Sequence, residues 1–243
     1  MVTDVDITLG NRTVSPKRTI KLNVNEFFGP TIQGEGRQAG QLASFLRLTG
    51  CNLSCSWCDS PYTWDWTRFN QSDETHKMTP EEVVSEVSKL PGRLIITGGE
   101  PLMQATGLSQ LLPLLGDRPI DLETNGTRPL RGTAGFWSNI SCSPKIIPSA
   151  DQVGSAVSVE VQPEILEVAD FKFVVQDQAD LDAVDAWVET HDVARSRIFL
   201  MPEGTDADTI TSRTPWIMEA CTQRHYNFST RMHVYGWGDK RGH

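Results

Sequence analysis

The sequence predicts an α/β fold of βα units with parallel strands, as a barrel or a doubly wound sheet. Three observations carry that expectation. Short apolar or β-branched runs alternate with amphipathic helical stretches from about residue 41 onward. The polar or Gly-rich groups TGGEP, ETNGT, SPK and MPEG stand where those runs end, the edge at which βα architectures bind ligands. No internal repeat, low-complexity tract or second-domain linker interrupts the 243 residues, a length that one core accommodates.

Residues 1–21 are polar and read as a loosely held N-terminal extension, with a single domain over 22–243. QLASFLRLTG (41–50) is an apolar strand that leads into a cysteine-rich loop. WTRFNQSDETHK (66–77) is polar and reads as a surface loop or lid, with His76 solvated. In MTPEEVVSEVSKLPG (78–92), Thr79 is the N-cap, Pro80 the first helical residue and Glu82 closes a capping box. Val83, Val84, Val87 and Leu90 follow at helical spacing. RLIITGGEP (93–101) is a strand, and GLSQLLPLLG (107–116) a helix limited or bent by Pro113. Strands continue at 119–127, 137–145 and 169–177, before a helix over 179–190. SRIFLMPEG (196–204) is another strand. A helix over 214–225 starts with Thr214 and Pro215, and STRMHVYGWG (229–238) is the final strand.

Hydrophobic residues make up 38% and charged residues 22%, as in ordinary globular proteins. The formal net charge of -9 repels a phosphate backbone, so no nucleic-acid partner is expected, although a local basic pocket for a small anion remains compatible. No apolar run reaches the roughly 18 residues of a membrane span, and the N-terminus lacks the apolar core of a signal peptide. A cytoplasmic protein without membrane contact is expected.

Three of the five cysteines, Cys51, Cys55 and Cys58, crowd into TGCNLSCSWCDSP (49–61). Clustered thiols in a reducing compartment more often hold a metal than a disulfide framework. A structural zinc site closes with four protein ligands, and the candidates for a fourth, His76, Cys142 and Cys221, have no paired spacing. Cys142 and Cys221 lie in apolar patterns that suit burial. Cubane clusters also usually take four cysteines, so three leave one iron open to a non-protein ligand.

C-x3-C-x2-C with Trp57 before the last cysteine resembles the radical SAM superfamily, and TGGEP (97–101) is similar to that superfamily's second motif. That resemblance implies a partial (incomplete) βα barrel. It also implies a [4Fe-4S] cluster on the three cysteines and S-adenosylmethionine chelating the open iron. Gly98, Gly99 and Glu100 would then contact the methionyl ammonium, and cleavage of the sulfonium would release a deoxyadenosyl radical.

PTIQGEGRQAGQLASFLRLTGCNLSCSWCDSPYTWD (30–65) narrows this, because it resembles the 7-carboxy-7-deazaguanine synthase family. ETNG, SPK, FKFVV, PEG and RMHVYGWGDKRG agree, so the likeness covers the chain from about residue 22. The implied reaction is contraction of 6-carboxy-5,6,7,8-tetrahydropterin to 7-carboxy-7-deazaguanine with loss of ammonia, in queuosine or other 7-deazapurine biosynthesis. The resemblance also implies Mg2+, a reductant such as flavodoxin, and a homodimer. Ile32, Gln33, Gly34 and Glu35 would face the pterin edge, with Thr97 beside it. Arg47 offers a planar fork for a carboxylate. Ser60, where relatives often carry Thr, would bind magnesium, with Asp59 a second hard-oxygen candidate that equally suits capping the loop. Ser143, Pro144 and Lys145 match a cofactor-contacting segment, and Glu123 and Asn125 would reach ribose hydroxyls. His233 and Trp237 suit either the core or the substrate. Another short radical SAM enzyme, such as a glycyl-radical activase, is weighed down by QGEG and the CDS/TWD run. A non-catalytic zinc or electron-transfer protein is the reading from a different class.

Overall fold

The computed structural model describes residues 19–146 and 159–242. The expected extension over 1–21 therefore falls, up to residue 18, outside the described residues. Among the described residues nine strands form one sheet in the order β3-β1-β2-β4-β5-β6-β7-β8-β9. They are β1 (Leu22–Ile32), β2 (Leu42–Leu48), β3 (His76–Met78), β4 (Arg93–Gly98), β5 (Ile120–Thr124), β6 (Asn139–Cys142), β7 (Asp170–Val175), β8 (Ile198–Pro202) and β9 (Asn227–Phe228). From β2 through β4 to β9 every neighbouring pair is parallel, while β1 runs antiparallel to β2 and β3. Among the described residues the two outer strands, β3 and β9, do not pair, so the βα barrel is partial.

Helices cross between the strands of every parallel pair except β5 and β6, whose connection holds only a 3-10 turn (Ala134–Phe136). The helices are α2 (Pro80–Val87), α3 (Ala105–Leu111), α4 (Pro163–Val168), α5 (Gln178–His191) and α6 (Ala207–Arg224). The Thr79 hydroxyl accepts from the Glu82 N–H at 3.3 Å and the Glu82 carboxylate from the Thr79 N–H at 2.7 Å, which is the expected capping box. Pro113 lies in a 3-10 turn (Leu112–Leu114) directly after α3. Strands buried on both faces hold the larger core, in which Trp187 of α5 tilts onto Phe171 and Phe173 of β7 at 4.9 and 5.2 Å. A second core joins β1, β2 and β4 to α2 and α3. Among the described residues no helix is long and apolar enough to cross a membrane.

Three expectations need correction. Residues 229–238 are not a strand: the ladder ends at Phe228, and Met232–Trp237 form α7. Only Val234 is buried there, whereas Met232, Tyr235 and Trp237 are exposed, one inward residue per turn rather than every second one. The helix expected over 214–225 begins at Ala207, because Asp206 caps it by accepting from the Thr209 N–H at 2.8 Å. Pro215 lies inside α6 on its exposed side, and the Thr214 hydroxyl bonds the Ile210 carbonyl at 2.8 Å. The supposed loop at 66–77 contains α1 (Gln71–Glu74) and the start of β3, whose register sets His76 against Val24. His76 itself is exposed.

Candidate active site

A cavity of about 670 Å3 opens at the C-terminal ends of the parallel strands. β2 delivers the cysteine loop to its rim. The Glu100 N–H bonds the Gly50 carbonyl at 2.8 Å and the Gly50 N–H bonds the Thr63 carbonyl at 2.7 Å, so both ends of that loop are fixed. The double glycine closing β4 is a packing requirement. A Cβ on Gly98 (φ +143°) would lie 2.1 Å from the Leu48 carbonyl oxygen, and one on Gly99 would lie 2.4 Å from that of Gly50.

Cys51, Cys55 and Cys58 all line the cavity and all are free thiols. Burial pushes Cys51 up to about 12 and raises Cys55, so metal binding must displace their protons. The Trp64 indole N–H donates to Cys58 Sγ at 3.3 Å, and the Leu53 N–H to Cys51 Sγ at 3.4 Å. Lys145 stands 5.1 Å over the Trp57 ring, giving an anionic centre a nearby cation. Among the described residues no three His, Cys, Asp or Glu converge tightly enough to hold a single metal ion. A cubane offers each thiolate a separate iron. Three soft ligands, N–H donors to sulfur and a local cation fit such a cluster.

The QGEG segment reaches the site differently. β1 runs against the parallel strands, so the chain leaves it at the opposite edge and turns back inside. There it bridges to the segment after β9: the Gly36 N–H donates to Ser229 Oγ at 2.8 Å, and the Met232 N–H to the Gly34 carbonyl at 3.0 Å. Gly34 is needed because a Cβ would stand 2.3 Å from His233 Nδ1. Gln33 donates to Glu123 Oε1 at 3.1 Å, and the Thr97 hydroxyl to Glu123 Oε2 at 2.8 Å.

Glu35 is the centre of a buried ion network. Lys172 pairs with its Oε2, and Arg231 Nε donates to Oε1 at 3.0 Å. Burial raises the Glu35 carboxyl, but Lys172, Arg231 and His233 more than reverse this and hold it well below the usual carboxylate range. Arg231, 7% exposed, also donates to the Gly204 carbonyl at 2.7 Å and pairs with Asp59 beside the last cysteine. One guanidinium thus ties three loops together.

Ile32, Gln33, Gly34, Glu35, Arg47, Asp59, Ser60, Thr97, Gly98, Gly99, Glu123, Asn125, Ser143 and Lys145 line the same cavity as the cysteines. Glu100 and Pro144 are buried behind its wall. Glu100 is 0% exposed and accepts from the Leu102 N–H at 2.9 Å, the Asn125 N–H at 2.7 Å and the Thr124 hydroxyl at 2.8 Å. It organises the two strand ends from behind the residues that line the cavity. Asn125 is held by Asn52 and Thr127. Sequence reasoning gives no role to Lys172, Arg231 or Arg241, and leaves His233 between core and substrate. All four line the cavity. Lys172 carries one usable signal, a single charge among the apolar residues of FKFVV.

A model of the radical SAM superfamily matches residues 46–138. A 7-carboxy-7-deazaguanine synthase from Pyrobaculum aerophilum is 32% identical over 92% of this chain and 98% of its own. This chain belongs to the 7-carboxy-7-deazaguanine synthase family. The family member from Bacillus cereus is 31% identical over 91% of this chain and 99% of its own. The crystal structure of QueE from Escherichia coli superposes with a TM-score of 0.69 at 27% identity, covering 88% of this chain and 95% of that one. Streptococcus suis SuiB bound to S-adenosylmethionine shares the fold, with a TM-score of 0.50 at 16% identity over 74% of this chain and 48% of its own. As a radical SAM enzyme, this chain uses S-adenosylmethionine and an iron–sulfur cluster.

Proposed function

We propose that this chain contracts 6-carboxy-5,6,7,8-tetrahydropterin to 7-carboxy-7-deazaguanine with loss of ammonia, using a [4Fe-4S] cluster on Cys51, Cys55 and Cys58. One observation carries the reading: the three thiols share a single cavity with Gln33, Glu35 and Arg47, residues suited to a pterin edge and a carboxylate. When bound, the cluster and S-adenosylmethionine supply the one-electron chemistry. The polypeptide binds, orients and excludes water.

Glu35, kept ionised by its two cations, is acceptor-only and selects N–H donors on the heterocycle. Gln33 presents an amide pre-oriented by Glu123. Arg47 is oriented by Glu26, with its guanidinium 5.2 Å over Phe28. Gly98, Gly99, Ser143 and Lys145 form the wall for the cofactor, and the Lys145 ammonium donates to Ser143 Oγ at 2.7 Å.

In the assay that tests this, anaerobically reconstituted protein with reductant, S-adenosylmethionine and the carboxytetrahydropterin yields 7-carboxy-7-deazaguanine. Cofactor cleavage without that product would leave the superfamily standing and remove the substrate.

Magnesium belongs to the same proposal. Ser60 is buried, its hydroxyl lies 3.9 Å from Cys58 Sγ, and Asp59, which precedes it in the chain and pairs with Arg231, lines the same cavity. Both offer hard oxygen at the cavity wall, as magnesium requires. Ser60→Ala is expected to raise the magnesium concentration for half-maximal turnover by roughly tenfold, the scale of one lost ligand. An unchanged magnesium titration would take Ser60 out of that role.

A further inference from the structure

The polar insertion after the cysteine loop and the charged tail DKRG have no part in the binding scheme above, yet the two segments meet. After α7 the chain crosses the mouth of the cavity, and Asp239, Lys240, Arg241 and Gly242 all line it. Arg241 fastens this strap. Its Nη2 donates to Glu74 Oε2 at 2.8 Å and to Asn25 Oδ1 at 2.9 Å, and its Nη1 to Glu74 Oε1 at 3.2 Å. The guanidinium stacks 4.1 Å over the Tyr62 ring. Glu74 belongs to α1, so the insertion supplies the strap's anchor.

Arg241 also reaches the site through Glu26. The two oxygens of that carboxylate are divided: Oε1 accepts from Arg47 Nε at 2.8 Å, and Oε2 from Arg241 Nε at 3.0 Å. The division matters because a guanidinium prefers to meet a carboxylate with two parallel hydrogen bonds. While Oε2 accepts from Arg241, Arg47 meets Glu26 through Nε alone, and among the described residues no hydrogen bond is made by its Nη atoms. Its fork stays turned to the cavity, over Phe28 at 5.2 Å and near Tyr62 at 5.8 Å. Charge is also balanced, with two guanidinium groups against the carboxylates of Glu26 and Glu74.

We propose that Arg241 is a positioning residue: by occupying the second oxygen of Glu26 it keeps the Arg47 fork free for the substrate carboxylate. Without Arg241, both Glu26 oxygens fall to Arg47, which closes on Glu26 and turns its donors from the ligand. The inference deepens the assignment of Arg47 to the substrate carboxylate and rests on it.

The test uses cluster-loaded full-length Arg241→Gln, Arg241→Lys and Arg47→Gln, and the Arg47→Gln/Arg241→Gln double variant, at matched iron content. Two quantities are read: KM for the carboxytetrahydropterin, and the inhibition constant of a tetrahydropterin lacking the carboxylate. Arg241→Gln is expected to raise KM about tenfold, the scale of one charge-assisted contact. The inhibition constant of the uncharged analogue should stay within twofold. Arg241→Lys recovers part of the loss, and the double variant is no worse than Arg47→Gln alone. A parallel weakening of substrate and analogue, or no change in either, overturns the positioning role. If Arg47→Gln leaves KM intact, the assignment of Arg47 falls and the inference with it; if Arg47→Gln raises KM and Arg241→Gln does not, only the inference falls.

Discussion

Replacing Cys51, Cys55 or Cys58 by Ala is expected to abolish turnover, a loss of at least roughly 10^6-fold, because no residual group supplies one-electron chemistry. In the proposed assignment each thiolate would hold one corner of a cubane, and the two remaining cysteines lie elsewhere. Cys142 is buried behind the Gly126 turn, where a Cβ would come 2.6 Å from its Sγ, and Cys221 is occupied with the Asn227 carbonyl at 3.3 Å. Neither lines the cavity. Cys142→Ala and Cys221→Ala therefore serve as controls, losing stability on the order of 1–2 kcal/mol as buried small side chains but keeping the cluster. Iron and sulfide analysis of anaerobically prepared protein separates the cases: about four of each per chain in wild type and both controls, and a sharply reduced content in the three loop variants. Full iron in any loop variant, or one zinc per chain in the wild type, would remove the cluster and the reaction built on it.

Much of this site is legible in the sequence because its signals are local. Three cysteines within eight positions, a capping box spanning four residues and a glycine pair ending a strand each state their chemistry without tertiary information. What stays hidden is long-range. Glu35 meets Lys172 across 137 positions and Arg231 across 196, and Arg231 meets Asp59 across 172, pairings that no window of sequence contains. β1 gives no clear strand signal because register shifts between Val24 and Glu26 and between Phe28 and Thr31 break its alternation. α7 misleads because MHVYGW is rich in residues that also suit a strand, and Val234 alone decides its face. The motif shows Glu100 as a cofactor contact but not its buried bonds to Leu102, Thr124 and Asn125, which join two strand ends. A carboxylate at a strand end can serve the backbone as readily as a cofactor.

Glu35→Gln is expected to cost about 3–5 kcal/mol, because it leaves Lys172 without its ion-pair partner in a buried site. Lys172 is 8% exposed, and its ammonium is kept charged against burial chiefly by Glu35 and then Glu123. Arg231 suffers less, since Asp59 and the Gly204 carbonyl remain. The pH dependence gives the prediction its sign. The Glu35 carboxyl is held below its ordinary 4.5, so its stabilisation is complete above that value and is lost as pH falls through the lowered one. Wild-type protein should lose stability as pH drops below about 4.5, and Glu35→Gln should show a flatter acid limb on a lower plateau. Chemical denaturation from neutral pH downward reads both quantities. The Glu35→Gln/Lys172→Met double variant, which removes both charges, should recover part of the stability but, with the proposed acceptor for the heterocycle still missing, not the turnover. If Glu35→Gln matches wild type at neutral pH, or its acid limb stays as steep, the carboxylate is not the anion that balances these buried cations.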